Sequence, residues 1–118
     1  MANTSRGTPM SRFPLPSGAV APAIALPAGH ARTWALRDFR GRPVVLAFYP
    51  ADWEPVSADQ LSCYNDVLPE VRSLGAELVG ISVDSVWCHR AFAHDLGLGF
   101  RLLSDFDPRG GAARAYGV

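Results

Sequence analysis

R42-P43-V44-V45-L46-A47-F48-Y49-P50-A51-D52-W53-E54-P55-V56-S57 decides the architecture of this chain of 118 residues. Residues 44–49 form an unbroken apolar run, the pattern of a strand buried on both faces. Pro50 and Pro55 then interrupt it and define a loop. Beyond the loop, Leu61, Tyr64, Leu68, Val71 and Leu74 recur at three- and four-residue steps. That stripe predicts a helix over roughly 58–74 with one buried side. Ser57 is expected to cap it, its hydroxyl accepting from free N–H groups of the first turn, with Gln60 completing a capping box. Pro69 lies inside the stripe and should kink or divide the helix, and Gly75 should end it.

Outward from this segment the pattern repeats. Residues 1 to about 17 read as a polar, Pro-rich flexible tail, and 18–118 as one domain. Pro22 and Pro27 restrict the stretch before Arg42 to short edge strands or a hairpin. Residues 76–83 are a second apolar strand. Asp84 or Ser85 should cap a helix over about 86–96 that Gly97 ends. Residues 100–103 form a short strand, and Pro108 is expected to open a last helix ending near Gly117. Strand, helix, strand, helix is an open α/β pattern with parallel neighbours and right-handed crossovers. Such sheets gather functional groups past the carboxyl ends of their strands, where both the loop after Tyr49 and Asp84 fall.

Composition narrows the chemistry. The formal net charge is zero, so nothing electrostatic favours nucleic acid or an anionic membrane. All 11 basic residues are arginines, which excludes Schiff-base and lysine-base catalysis. The two cysteines, Cys63 and Cys88, form no CxxC and cannot build a disulfide framework, and a structural zinc site normally needs four ligands. His89 and His94 are five apart, the wrong offset for one helical face. No apolar stretch is long enough to cross a membrane and the start has no apolar signal region, so a cytoplasmic location is the default.

A thiol at the start of a helix is activated by the dipole and by unpaired N–H groups. The segment 48–57 resembles the peroxiredoxin motif, in which a proline, three residues, threonine or serine, and two residues precede a cysteine. Pro50 matches the proline, Glu54 holds the threonine or serine position, and Ser57 holds that of the peroxidatic cysteine. R42-P43-V44-V45-L46-A47-F48-Y49-P50 and G80-I81-S82-V83-D84-S85, with His89, Ala91 and Phe92, are similar to the family's first two core strands and the helix between them and the next. L102-L103-S104-D105 and A113-R114-A115-Y116-G117-V118 also look like family segments.

The resemblance implies a thioredoxin-like α/β fold of peroxiredoxin type. It implies reduction of hydrogen peroxide or organic hydroperoxides at a thiol, regenerated by thioredoxin or a similar donor, without metal or organic cofactor. Pro50 would shield the nucleophile, residue 54 would orient the peroxide, and Cys88 is a candidate resolving thiol. Family members usually form homodimers near this loop, where Trp53 is a candidate contact.

Three departures stand against full activity. Ser57 lacks the sulfur through which a sulfenic acid forms. Glu54 brings a negative charge beside the nucleophile position. The family's active-site arginine lies on a strand beyond Val118, and none of the 11 arginines takes that role. The chain is thus expected to lack the last strands and helix of the fold, to leave the 44–49 edge open, and to be marginal alone or completed by another chain. Ser57 also has the plain reading of a helix cap, or of a thiol lost naturally or by engineering. A serine hydrolase would need His89 as base and lacks G-x-S-x-G. Cys88 also reads as a half-buried small apolar residue, and Cys63, on the first helix, as a core or interface filler. Asp84, Asp105 and Asp107 read as caps or loop residues rather than a cation site. The alternative to an enzyme is a non-catalytic truncated homologue acting as an interaction module, or a gene fragment.

Overall fold

The computed structural model describes residues 14–29 and 31–118, so most of the expected tail, and His30, lie outside the described residues. Ala25–Gly29 (β1) and Arg32–Ala35 (β2) pair as an antiparallel hairpin, the short element that Pro22 and Pro27 allow. A 3-10 turn at Leu36–Phe39 leads into Val44–Phe48 (β3). Glu77–Ser82 (β4) lies between β3 and Arg101–Ser104 (β5) in a parallel three-stranded sheet of order β3-β4-β5. Leu46 is paired with Val79, Phe48 with Ile81 and Gly80 with Leu102.

Strand alternation sorts the core into two layers. On one face Leu78 and Leu102 meet Leu61, Leu68 and Phe92 from the helices. On the other, Val79, Ile81 and Leu103 meet Ile24 and Trp34 of the hairpin side, with Tyr116 closing edge-on over Phe48 at 5.8 Å between ring centroids. Helices thus cover one side and the hairpin with the last helix the other. Among the described residues β3 pairs only with β4, and Val45 on it is 48% exposed, which makes it an apolar edge strand.

The expected helix over 58–74 is two helices, Pro55–Asp66 (α1) and Leu68–Ser73 (α2). The break at Val67 comes just before Pro69, which has no N–H to continue the ladder and sits in the first turn of α2. Val86–Leu96 (α3) carries the expected signals. Ser85 Oγ accepts from the Cys88 N–H at 3.2 Å, and Gly97 closes it in the left-handed region at φ 63°. The last helix is Gly111–Ala115 (α4), three residues later than Pro108 implied. Its start is held instead by Asp105, which is buried and accepts from the N–H groups of Ala112 and Ala113 at 2.9 and 3.0 Å. Leu15, inside the stretch expected as tail, donates its N–H to the Tyr116 carbonyl at 3.3 Å, and Tyr116 Oη donates to the Pro22 carbonyl at 2.6 Å. The segment after Pro14 is therefore tied to α4.

The tightest packing is at the centre of β4. A Cβ on Gly80 would come 2.7 Å from Leu102 Cδ2 and 3.2 Å from Tyr49 Cε1. Alanine favours the strand intrinsically, yet Gly80→Ala is expected to destabilise the domain by about 1–3 kcal/mol through overpacking, read by urea denaturation.

Candidate functional site

The carboxyl ends of β3 and β4 meet the starts of α1 and α3 at one end of the sheet, and Pro50, Trp53, Glu54, Ser57, Asp84, Cys88 and His89 fall there. β3 delivers Tyr49 and Pro50. Tyr49 is buried, and Pro50 begins the exposed loop. Within the loop Trp53 takes φ 67°, a left-handed backbone that carries strain for a side chain this large. Its ring packs edge-on against buried Phe92 at 5.2 Å.

The sequence expectation of Ser57 as helix cap is corrected by the structure. Pro55, with its fixed φ and missing N–H, starts the helix three residues earlier. The cap is Glu54, whose carboxylate accepts from the N–H groups of Val56 at 2.9 Å and Ser57 at 2.8 Å. Gln60 completes no capping box. Ser57 sits inside the first turn, 1% exposed, and donates its hydroxyl to Glu54 Oε1 at 2.8 Å. These bonds, from the Val56 amide above all, hold the Glu54 carboxyl below its ordinary range.

Beneath the loop lies a polar cluster that sequence reasoning missed as a unit. Asp52 is buried, with Oδ1 accepting from Tyr49 Oη at 2.6 Å and Oδ2 facing His89 Nδ1 at 2.7 Å. The other ring nitrogen, Nε2, donates to the Leu103 carbonyl at 3.0 Å. A carbonyl can only accept, so that nitrogen carries a proton, and the Asp52 contact needs a second proton of its own. Burial first, then the bond to Asp52, pushes the Tyr49 phenol far above its usual range, so it stays a neutral donor. Asp84 does not cap α3. Its Oδ2 accepts from the Asp52 N–H at 2.8 Å and from Ser82 Oγ at 2.6 Å, which joins the two loops. One sequence signal was available: His89 precedes Phe92 by three residues, on the buried side of α3.

Cys88 lies with Asp52 and Asp84, one ligand-type atom of each within 4.8 Å of the others. Burial, and then these carboxylates, raise its thiol above the ordinary value. Asp105, read from the sequence as a loop residue, turns its carboxylate to the amides of α4. His89 is committed at both nitrogens to Asp52 and Leu103 and makes no hydrogen bond to Ser57, so a serine–histidine pair is absent among the described residues. Cys63 is an exposed free thiol on α1, away from this cluster. A cavity of about 670 Å³ lies elsewhere, between the hairpin side and β3, lined by Ile24, Phe39, Val44 and Leu46.

A family model described as the AhpC/TSA family matches residues 17–118. Chloroplastic Peroxiredoxin Q of Triticum aestivum is 42% identical over 88 residues, 75% of this chain and 41% of that protein. Peroxidoxin BcpB of Mycobacterium tuberculosis is a structural neighbour with a TM-score of 0.77 and 28% identity, covering 92% of this chain and 67% of that one. The bacterioferritin comigratory protein of Xanthomonas campestris, whose structures concern alkyl peroxide reduction, has a TM-score of 0.74 and 30% identity, covering 98% and 66%. The fold is therefore thioredoxin-like, of peroxiredoxin type. The chain spans less than half the length of curated relatives it matches.

Two measurements test the cluster. Asp52→Ala and His89→Ala each leave a buried polar partner unmatched and are expected to lower stability by about 3–5 kcal/mol. The double variant should cost clearly less than their sum in a denaturation cycle. Iodoacetamide should alkylate Cys88 more slowly than free cysteine at neutral pH, with the rate rising only in alkali, as followed by peptide mass mapping.

Proposed function

The chain belongs to the AhpC/TSA family, and on that premise we propose that the loop after β3 and the first turn of α1 form the peroxidatic site of a peroxiredoxin-type thiol peroxidase. The substrate is hydrogen peroxide or an organic hydroperoxide, and the reductant a thioredoxin-like or other thiol donor. Residue 57 holds the nucleophile position, Pro50 the shield, residue 54 the orienting position, and Cys88 is the candidate resolving thiol. One observation carries this reading: the side chain of residue 57 is buried in the first turn of a helix that begins directly after the loop.

With sulfur at that position the step balances simply. A thiolate attacks the outer peroxide oxygen, an S–O bond forms, the O–O bond breaks, and water or an alcohol leaves with a proton. Sulfur is oxidised to a sulfenic acid by the two electrons that reduce the peroxide. A second thiol then displaces water to give a disulfide. The Ser57 oxygen cannot be oxidised in this way, so the chain as written does not turn over. That favours the second reading, in which this copy serves by binding a partner rather than by catalysis. Trp53 and Val56, 52% and 70% exposed beside the site, support a homodimer contact there. Cys63 and Cys88, both free, suit a reducing compartment such as the cytoplasm.

The test is peroxide consumption with a thiol donor, with dimedone trapping of sulfenic acid. The unaltered chain should show no consumption above background. Ser57→Cys should form a peroxide-dependent sulfenic acid at position 57. If the unaltered chain consumes peroxide and Cys88→Ala abolishes it, the nucleophile is Cys88 and the assignment to residue 57 is wrong.

A further inference from the structure

Resting on residue 57 as the nucleophile position, we propose that Glu54 sets the reactivity of this site: its carboxylate occupies the helix-start donors that an anionic nucleophile or a developing oxyanion would use. The chain closes its own anion site.

The inventory of donors at this helix start is complete. Pro55 has no N–H. Val56 and Ser57 give theirs to Glu54 Oε2 and Oε1 at 2.9 and 2.8 Å. Ala58 already donates to the Glu54 carbonyl at 2.9 Å, as the first intrahelical bond. The Ser57 hydroxyl adds a third bond to the carboxylate at 2.8 Å. No amide of the first turn is left to hold an incoming oxygen, and the positive end of the helix is neutralised by a full negative charge.

The surroundings do not relieve that charge. The ion pairs among the described residues are Arg72 with Glu77 and His89 with Asp52, so no arginine or histidine pairs with Glu54. The other carboxylates at this end, Asp52 and Asp84, are engaged with Tyr49, His89 and the Asp52 amide. Asp59, further along α1, is exposed and adds negative rather than positive charge. Cys88 sits among Asp52 and Asp84 rather than at Glu54. A thiolate in place of the Ser57 hydroxyl would therefore meet a carboxylate at hydrogen-bond distance, and two anions at that separation do not both persist.

The experiment compares Ser57→Cys with Ser57→Cys/Glu54→Gln and Ser57→Cys/Glu54→Thr in the full chain. Glutamine removes the charge and keeps one acceptor oxygen in place of two, so it retains part of the cap and guards against loss of fold, which circular dichroism checks. Iodoacetamide alkylation at position 57 is followed against pH by peptide mapping, which separates it from Cys63 and Cys88. Both double variants should react at least about tenfold faster than Ser57→Cys at neutral pH, with the midpoint of the profile lowered by at least about one unit. Equal rates and midpoints in all three variants would overturn the role given to Glu54. Alkylation is independent of peroxide, so that outcome is distinct from failure of the peroxidase assignment. The latter would show as absence of peroxide-dependent sulfenic acid in every variant, whatever its alkylation rate.

Discussion

The Asp52 carboxylate is the contact on which this end of the molecule depends. Through its oxygens it receives Tyr49 from the end of β3 and His89 from α3, and through its amide it is tied to Asp84 after β4. His89 extends the chain of bonds to the Leu103 carbonyl on β5. Asp52, by its side chain, its amide and His89, thus joins the ends of all three parallel strands. The arrangement tolerates burial because each group has a partner. An unmatched charge or carbonyl there would lose the solvation of water without replacement. Such a cluster contributes less to net stability than to fixing one geometry, since hydrophobic groups of equal volume often serve stability as well.

With Asp52 anchored, the loop has little freedom. The chain must leave Tyr49, reverse at Asp52 and reach Pro55 in three more residues. Trp53 absorbs the reversal in a left-handed conformation, a strain of about 1–3 kcal/mol. Its edge-on contact with Phe92 offsets part of this, on the order of 0.5–1.5 kcal/mol. The loop then delivers Pro55 ready to begin a helix, and residue 57 is carried one turn deep and out of solvent. Burial of Ser57 is a consequence of where the helix starts, and the start is a consequence of how the loop is held.

Much of this was legible in the sequence because it depends on local pattern. The apolar run 44–49, the stripe through Leu61 and Leu68, the Pro69 break and the Gly97 stop each rest on a neighbour-scale rule, and each has its counterpart in the structure. The places given to Pro50, Glu54 and Ser57 come from the resemblance to the peroxiredoxin motif rather than from local pattern. The cap was misjudged where two local rules compete. Serine is a strong cap by preference, but Pro55 at the first helical position, with a carboxylate just before it, is the stronger arrangement here. Asp52 with His89 was not legible as a pair, because 37 residues separate them and only tertiary packing turns them toward each other. Asp105 was hidden for the same reason: a loop aspartate becomes a buried anchor only once α4 folds back over the sheet end.

The two departures at the site, Glu54 and Ser57, are better understood as one. A serine hydroxyl is neutral and can donate, so it fits against a carboxylate and strengthens the cap that the carboxylate makes. A thiolate can only accept, so it needs the same amide donors that Glu54 has taken. Conversely, a hydroxyl side chain at position 54 carries no charge and has one oxygen, so it would cap one of the Val56 and Ser57 amides and leave the other open to an anion, the condition that suits a thiolate. Each partner makes the other tolerable. A carboxylate beside sulfur, or a serine beside empty donors, gives up an interaction that the present pair makes. The physical unit at the head of α1 is therefore the matched pair, and the chemistry of residue 57 follows from what residue 54 leaves available to it.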